Sequence, residues 1–303
     1  MNEVSKEKHF YTGLIHYGRR EWDKALEAFN HALNLDPKYV PSYWGIGLVY
    51  TNMERYDEAI NILEKIVDLD PSSLGVYFLL GFNYFNLNKW ERALEFFQKV
   101  IDLKKEKKED SSVSLMINFN EADIYYFIGL AYLHLDKWSE SLEALKEVVK
   151  LKPDHIDAYY GMGVASLNLK NWDEAKKYFR KVIKLDPDFT PAYYGLGRAY
   201  HESKMWRKAI ESYNKVVKKD PDFLDVYVDI GMVYLANEKF DKAIRMFKKV
   251  LKRDPKNGPA HYGLGIAYFE LKSWIDGFSE LITLYKINKK LAEALLGFSI
   301  FKM

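Results

Sequence analysis

The sequence contains no cysteine. Disulfides, thiolate metal sites and cysteine nucleophiles are thereby excluded. It has no uninterrupted apolar run of the roughly 18 residues that a membrane-spanning helix requires. The opening stretch, "MNEVSKEKHFYTG", is charged and has no apolar segment of the secretory type, so the expected location is cytoplasmic. An excess of one charge is also missing. With 45 basic and 43 acidic residues, the chain does not have the basic surplus of a dedicated nucleic-acid binder, and nucleic acid is not the expected partner. What it has in quantity is apolar residues, 48% of the chain. That is enough to bury a core and too much for a disordered segment.

Proline is scarce, and most of it is placed at regular intervals. Residues 37, 71, 153, 187, 221 and 255 are proline, at spacings of 34, 82, 34, 34 and 34. The spacing of 82 is two intervals of 34 plus 14 residues, and Lys105 and Lys289 stand where two further prolines would fall. Eight units result, at about 6–39, 40–73, 74–105, 122–155, 156–189, 190–223, 224–257 and 258–290. An insertion lies at 106–119 and a final segment at 291–303.

Within each unit the same residue types recur. Glycine stands at 13, 47, 81, 129, 163, 197, 231 and 265, and nine residues later comes Trp22, Tyr56, Trp90, Trp138, Trp172, Trp206, Phe240 or Trp274. Three further on is a small residue, alanine in six units, Ser141 in the fourth and Gly277 in the eighth. Apolar residues at three- and four-residue intervals in both parts of a unit predict two helices. A polar break such as "NLKNW" or "ESKMW" separates them. A glycine inside a helix costs about 1 kcal/mol relative to alanine, so its recurrence in eight units calls for a packing reason. Asp-Pro ends the second helix, because the residue before proline is driven out of the α region.

This pattern resembles the tetratricopeptide repeat family over nearly the whole chain. The resemblance implies an all-α, right-handed superhelical solenoid of eight helix-turn-helix units closed by a C-terminal capping helix over 291–303. A single helix pair cannot bury its apolar face, but stacked copies can. The insertion, "EKKEDSSVSLMINF", is expected to lengthen the second helix of unit three and then form a loop. The stack should resume at Ala122, so that deleting Glu106–Phe119 leaves the rest in place.

Catalytic signatures are missing. "GMGVAS", "GLGRAY" and "GLGIAY" lack the third glycine and the preceding strand of a dinucleotide fingerprint. The seven histidines fall in different units with no metal-ligand spacing, and no nucleophile elbow or phosphate loop occurs. No enzyme activity and no cofactor are expected.

The resemblance places the first helix of each unit on the concave side of the solenoid. Residues three before the packing glycine, or one after it, would then form an aromatic-lined groove for a partner's helix or peptide. The groove residues expected are Phe10, Trp44, Leu48, Phe78, Phe82, Tyr126, Leu130, Tyr160, Tyr194, Arg198 and Tyr262. Gly45, Gly161, Gly195 and Gly263, two before the packing glycine, would leave notches between the aromatics. Mostly aromatic and aliphatic residues stand where chaperone-binding relatives use lysine, asparagine and arginine to clamp a carboxylate; only Arg198 is basic. An alternative docking surface for an acidic protein or nucleic acid is the second helices of units five to seven, where basic residues such as Lys177, Arg180, Lys208, Lys215, Lys248 and Lys249 accumulate. The apolar C-terminal helix, with Leu296, Ile300 and Phe301, is a candidate for self-association.

Overall fold

Each repeat folds as a pair of helices joined by a three-residue turn in the computed structural model, which describes residues 5–106 and 119–302. Among the described residues there is no strand. The chain divides into two compact halves, 1–161 and 162–303. The N-terminal half holds α1 (Lys6–Gly18), α2 (Trp22–Leu35), α3 (Val40–Asn52), α4 (Tyr56–Leu69), α5 (Leu74–Asn86), α6 (Trp90–Lys105), α7 (Glu121–His134) and α8 (Trp138–Leu151). The division falls inside α9 (Ile156–Asn168). The C-terminal half continues with α10 (Trp172–Leu185), α11 (Thr190–Glu202), α12 (Trp206–Lys219), α13 (Leu224–Ala236), α14 (Phe240–Arg253), α15 (Gly258–Glu270), α16 (Trp274–Ile287) and α17 (Lys289–Lys302). Within each half, a helix packs on its pair-mate and on the first helix of the next unit.

The turn inside a unit is the same eight times over. One residue in each adopts the left-handed conformation: Arg20, Glu54, Asn88, Asp136, Lys170, Lys204, Glu238 and Lys272, with φ between 55° and 60°. The amide after it reaches back five residues to a carbonyl of the first helix, as Glu21 does to His16 and Met205 to Tyr200. This is a Schellman closure, in which glycine is usual. None of the eight turns uses glycine, although the left-handed region costs an ordinary residue on the order of 1 kcal/mol.

The packing glycines receive an aromatic or leucine side chain from both sides. A Cβ at Gly13 would lie 2.5 Å from the Phe29 ring, and one at Gly45 would lie 2.4 Å from the same ring. Phe179 sits likewise between Gly163 and Gly195, and Phe247 between Gly231 and Gly263. The second glycine of each set is therefore no notch on an open wall. It is filled by the preceding unit's second helix, and this is how one unit keys into the next.

The Asp-Pro turn between units is also built. The carboxylate of Asp36 accepts the Lys38 amide at 3.0 Å, and Asp186 accepts that of Asp188 at 2.8 Å. A tyrosine six residues beyond the proline donates its hydroxyl to the proline carbonyl, as Tyr43 does to Pro37, Tyr193 to Pro187 and Tyr227 to Pro221. In the eighth unit His261 takes the tyrosine's place, with Nε2 3.0 Å from the Pro255 carbonyl oxygen.

α6 runs to 16 residues against 14 in α2 and α4, a lengthening by two. The rest of the insertion, 107–118, lies outside the described residues. Its last residue, Phe119, stacks on Phe78 with ring centres 4.3 Å apart and planes 4° from parallel. It packs, half-buried, against the core of the N-terminal half, so removing the whole insertion would take this contact with it. α17 starts at Lys289, and it packs on both α15 and α16. Leu295 approaches Gly265, while Phe269 of α15 occupies the space that Gly277 opens on α16. Gly277 in place of alanine thus admits an aromatic from the first helix, and the last unit is keyed in the reverse sense.

Candidate functional site on the first-helix faces

The expected groove residues separate by burial. Phe10 is 5% exposed, packed on Phe29 and Tyr39; Trp44 is fully buried; Phe78 is 6% exposed among Phe97, Phe119 and Phe127. These three are core and cannot line a docking face. In the N-terminal half the half-buried remainder is Leu48, Phe82, Tyr126, Leu130 and Tyr160. Phe82 meets the edge of Phe127 at 5.4 Å, and Tyr126 lies 4.8 Å from the His155 ring. Burial, helped by the Asp157 carboxylate, pushes the Tyr126 phenol up to about 12.

The C-terminal half carries Tyr194, Arg198 and Tyr262. Tyr262 is half-buried and packs on the cluster of Phe269, Leu284 and Leu295. Arg198 is exposed. Tyr194 is half-buried between the rings of Tyr213 and Phe223, at 5.8 and 5.5 Å. On one side it borders a crevice of about 300 Å³ formed by Thr190, Pro191, Val216, Asp220 and Phe223. On the other it faces Asp229 of α13; burial, and after it the hydrogen bond to that carboxylate, hold its phenol well above the ordinary range.

Asp229 is a residue that sequence reasoning missed. It occupies the place of Gly45, Gly161, Gly195 and Gly263. The side chain below it, where other units have Phe29, Phe179 or Phe247, is Tyr213. Tyr213 is fully buried, and neither its hydroxyl nor Asp229 Oδ2 has a hydrogen-bond partner in the protein. Burial pushes the Asp229 carboxyl up, while the Tyr194 hydroxyl, Arg198 and His201 pull it down. His201, one turn from Arg198, is itself pushed down by burial. The signal was available: one unit replaces a phenylalanine–glycine pair by tyrosine–aspartate.

The basic second helices have a structural use that the sequence did not reveal. Lys176, Arg180 and Lys208 all lie within 6 Å of the Tyr200 ring centre, and Arg180 also donates to its hydroxyl at 2.5 Å. Lys249 sits 4.0 Å over Tyr227 and Lys248 5.7 Å over Tyr268. Lys219 pairs with Asp188, and Arg253 pairs with Asp222 at 2.5 Å, each tying one unit to its neighbour. Tyrosines therefore interleave with the cations on this face. Among the described residues no group of His, Asp or Glu is placed to hold a metal ion, and no helix is long and apolar enough to cross a membrane.

These features define a class: a helical-repeat solenoid whose first-helix faces carry side chains that the stacking does not use up. The chain belongs to the tetratricopeptide repeat family, whose models match residues 7–39, 50–107, 122–155, 156–189, 190–223 and 234–274. Among solved structures it is similar to the MamA protein, at 27% identity over 61% of this chain and 93% of that one, with a TM-score of 0.53. It is also similar to YrrB, described as a TPR protein with an unusual peptide-binding site, at 22% identity over 71% of this chain and 99% of that one (TM-score 0.56). The C-terminal part of a TPR repeat-containing protein from Cytophaga hutchinsonii matches at 18% identity over 84% of this chain and 99% of that one (TM-score 0.65). The last two likenesses concern the fold alone. A search of curated proteins returns no significant match. Tetratricopeptide repeat proteins act as protein-interaction scaffolds.

Proposed function

We propose that this chain is a non-catalytic scaffold that binds a partner's helix or extended peptide on its first-helix faces. The observation that carries the reading is the set of half-exposed apolar and aromatic side chains at equivalent positions of successive first helices: Leu48, Phe82, Tyr126, Leu130 and Tyr160 in the N-terminal half, Tyr194 and Tyr262 in the C-terminal half. Side chains that only glued repeats together would be buried like Trp44. Aromatic anchors with a part of their surface still in water match the hot spots of helix- and peptide-binding faces. The test is quantitative capture of partners from the source cell with wild type and with Tyr126→Ala/Tyr160→Ala. The double variant is expected to stay folded and to lose at least ~2 kcal/mol of binding, the range of interface hot spots. Undiminished capture would turn attention to the basic second helices, whose binding, unlike that of an apolar face, weakens steeply with salt. Their cations are already engaged with Tyr200, Tyr227 and Tyr268, which favours the first-helix reading.

A second contact of the same scaffold is with its own copy. Ile300 is 65% and Phe301 93% exposed on α17, and Ile275 and Ile282 are exposed on α16, which packs against it. A face of this kind is rare on a protein that functions alone.

A further inference from the structure

At the repeat position of Tyr200 five other units also carry tyrosine: Tyr50, Tyr84, Tyr132, Tyr234 and Tyr268. Each has one or two cations within 6 Å of its ring centre. At Tyr50 and Tyr84 every such cation has a carboxylate of its own, in the pairs Arg55–Glu58, Lys89–Asp57 and Arg92–Glu95. Tyr200 departs on both counts. Three cations lie near its ring, Lys176, Arg180 and Lys208, at 5.9, 5.6 and 5.8 Å. Of these only Lys176 has a carboxylate, that of Asp173 at 2.8 Å. Lys176 is itself out of pattern. It is 8% exposed at a position where the other seven units have leucine, isoleucine or phenylalanine, as in Leu142 and Ile210. Like charges gathered on one ring repel one another, and ring packing, met in other units by a single cation, does not call for three.

Beside the ring opens a cavity of about 340 Å³ between α10, α11 and α12. Arg180, Lys208 and Lys215 line it together with the apolar surfaces of Ile183, Tyr193 and Leu196. All three cations are exposed. Arg180 spends one N–H on the Tyr200 hydroxyl, at 2.5 Å. The ammonium groups of Lys208 and Lys215 make no hydrogen bond or ion pair among the described residues. The one carboxylate among the lining residues is Glu211, which accepts from Arg207 at 2.9 Å. Contact with the ring therefore leaves N–H donors at the cavity for an anion from outside. Its size is at the small end of ligand sites, which suits one anionic group and its carrier rather than a run of phosphates. A net charge of +2 over the chain likewise gives no surplus for a polyanion. A carboxylate would offer the cavity's three cations one charge and two oxygens. A phosphate monoester offers nearly two charges and three terminal oxygens, and it is the partner that arginine and lysine hold most strongly.

We propose that the cavity lined by Arg180, Lys208 and Lys215 is a docking point for a phosphorylated side chain of a partner protein. The phosphate oxygens accept from the three cations, and the carrier side chain lies along Ile183 and Tyr193. Binding offsets the repulsion that the free protein bears around Tyr200. This is a second docking point, on the second helices, and it stands whether or not the first-helix faces bind a partner.

The experiment uses the full chain and the peptide acetyl-Gly-Ala-X-Ala-Gly-amide, with X as phosphotyrosine, tyrosine or glutamate. Inorganic phosphate and a short oligothymidylate are titrated alongside, and binding is followed by NMR at the α10 and α12 amides. The phosphotyrosine peptide is expected to bind about tenfold more tightly than the other two peptides and inorganic phosphate, and to weaken as salt is raised. Lys208→Gln/Lys215→Gln is expected to keep the wild-type melting temperature and to lose about tenfold in affinity. Lys215→Gln alone, at an exposed residue outside the Tyr200 contact, should lose affinity in the same direction and keeps the test readable if the double variant melts early. A glutamate peptide that binds as well as the phosphopeptide overturns the phosphate assignment. Inorganic phosphate binding as tightly as the phosphopeptide overturns the protein-borne source in favour of a free anion. Oligothymidylate binding more tightly at α10 and α12 overturns it in favour of a polyanion surface. No shift at these helices, or full affinity in both variants, removes the site.

Discussion

At the scale of single residues, the glycines decide how closely two helices approach. Gly163 faces Phe179 so tightly that an added methyl would fall 2.6 Å from the ring. Gly163→Ala is expected to cost about 2 kcal/mol through forced displacement of a buried ring. Gly297, inside α17, has nothing within 4 Å of where its Cβ would be. Gly297→Ala should therefore stabilise by roughly 0.5–1 kcal/mol from helix propensity alone. Thermal melts of the two variants, moving in opposite directions, check the assignment. Asp229 makes a pH-dependent prediction. Burial raises its folded pKa above the unfolded value near ~3.9. Between those two values the folded state binds more protons than the unfolded state, so the Asp229 contribution to stability falls as pH rises through that window. Wild type and Asp229→Asn should differ least at acid pH, with the variant gaining on wild type as pH is raised towards neutrality. A gap that stays constant over that range would show that the carboxyl is not held up. His201 acts in the opposite sense, since its depressed value makes the protein less stable as pH falls through the normal histidine range.

At the scale of the element, Phe119 is the instructive case. It closes an insertion that the repeat pattern marks as foreign, yet its ring lies flat on Phe78 against the N-terminal core. Phe119→Ala is expected to lower stability by about 2 kcal/mol, below the 3–5 typical of a fully buried phenylalanine because this ring is half-buried. Chemical denaturation should show the loss, and an unchanged midpoint would mean that the ring contributes nothing. The eight left-handed turns teach the same lesson from the other side. Helix starts and stops were legible from the aromatic, the polar break and the Asp-Pro. The turn conformation was not, because Lys, Glu, Asp, Asn and Arg at those positions have no common chemistry. They adopt it because two packed helices leave the chain no other short way round.

At the scale of the whole molecule, exposed apolar surface among the described residues is concentrated at the C-terminal unit, where Ile275, Ile282, Tyr285, Ile300 and Phe301 are all open to water. On the proposed reading this surface joins two copies. Light scattering over a concentration series should then show a rise in mass for wild type and none for Phe301→Asp. A wild type that stays monomeric at high concentration would sink the idea. The basic second helices give a contrasting expectation. Their charges are held by cation–π contacts and by the Lys219–Asp188 and Arg253–Asp222 pairs. Binding of a partner on the first-helix face should be nearly indifferent to salt.

The sequence by itself determined the repeat, its period, its helix pairs, the family and the absence of thiol chemistry. All of these depend on local pattern, and a 34-residue pattern repeated eight times is a strong local statement. Tertiary structure alone decided which members of a chemically uniform stripe are core and which are surface. Phe10, Trp44 and Phe78 share their repeat position with Tyr126, Tyr160 and Tyr194, yet in the folded chain the first three are buried and the last three half-buried. It also decided that Gly45 and Gly195 are filled from the preceding unit, since a glycine reads identically whether a groove or a phenylalanine lies opposite. And it placed Tyr213 beneath Asp229, sixteen residues apart in the chain, where two unremarkable letters become a pair of buried polar groups that the fold does not satisfy.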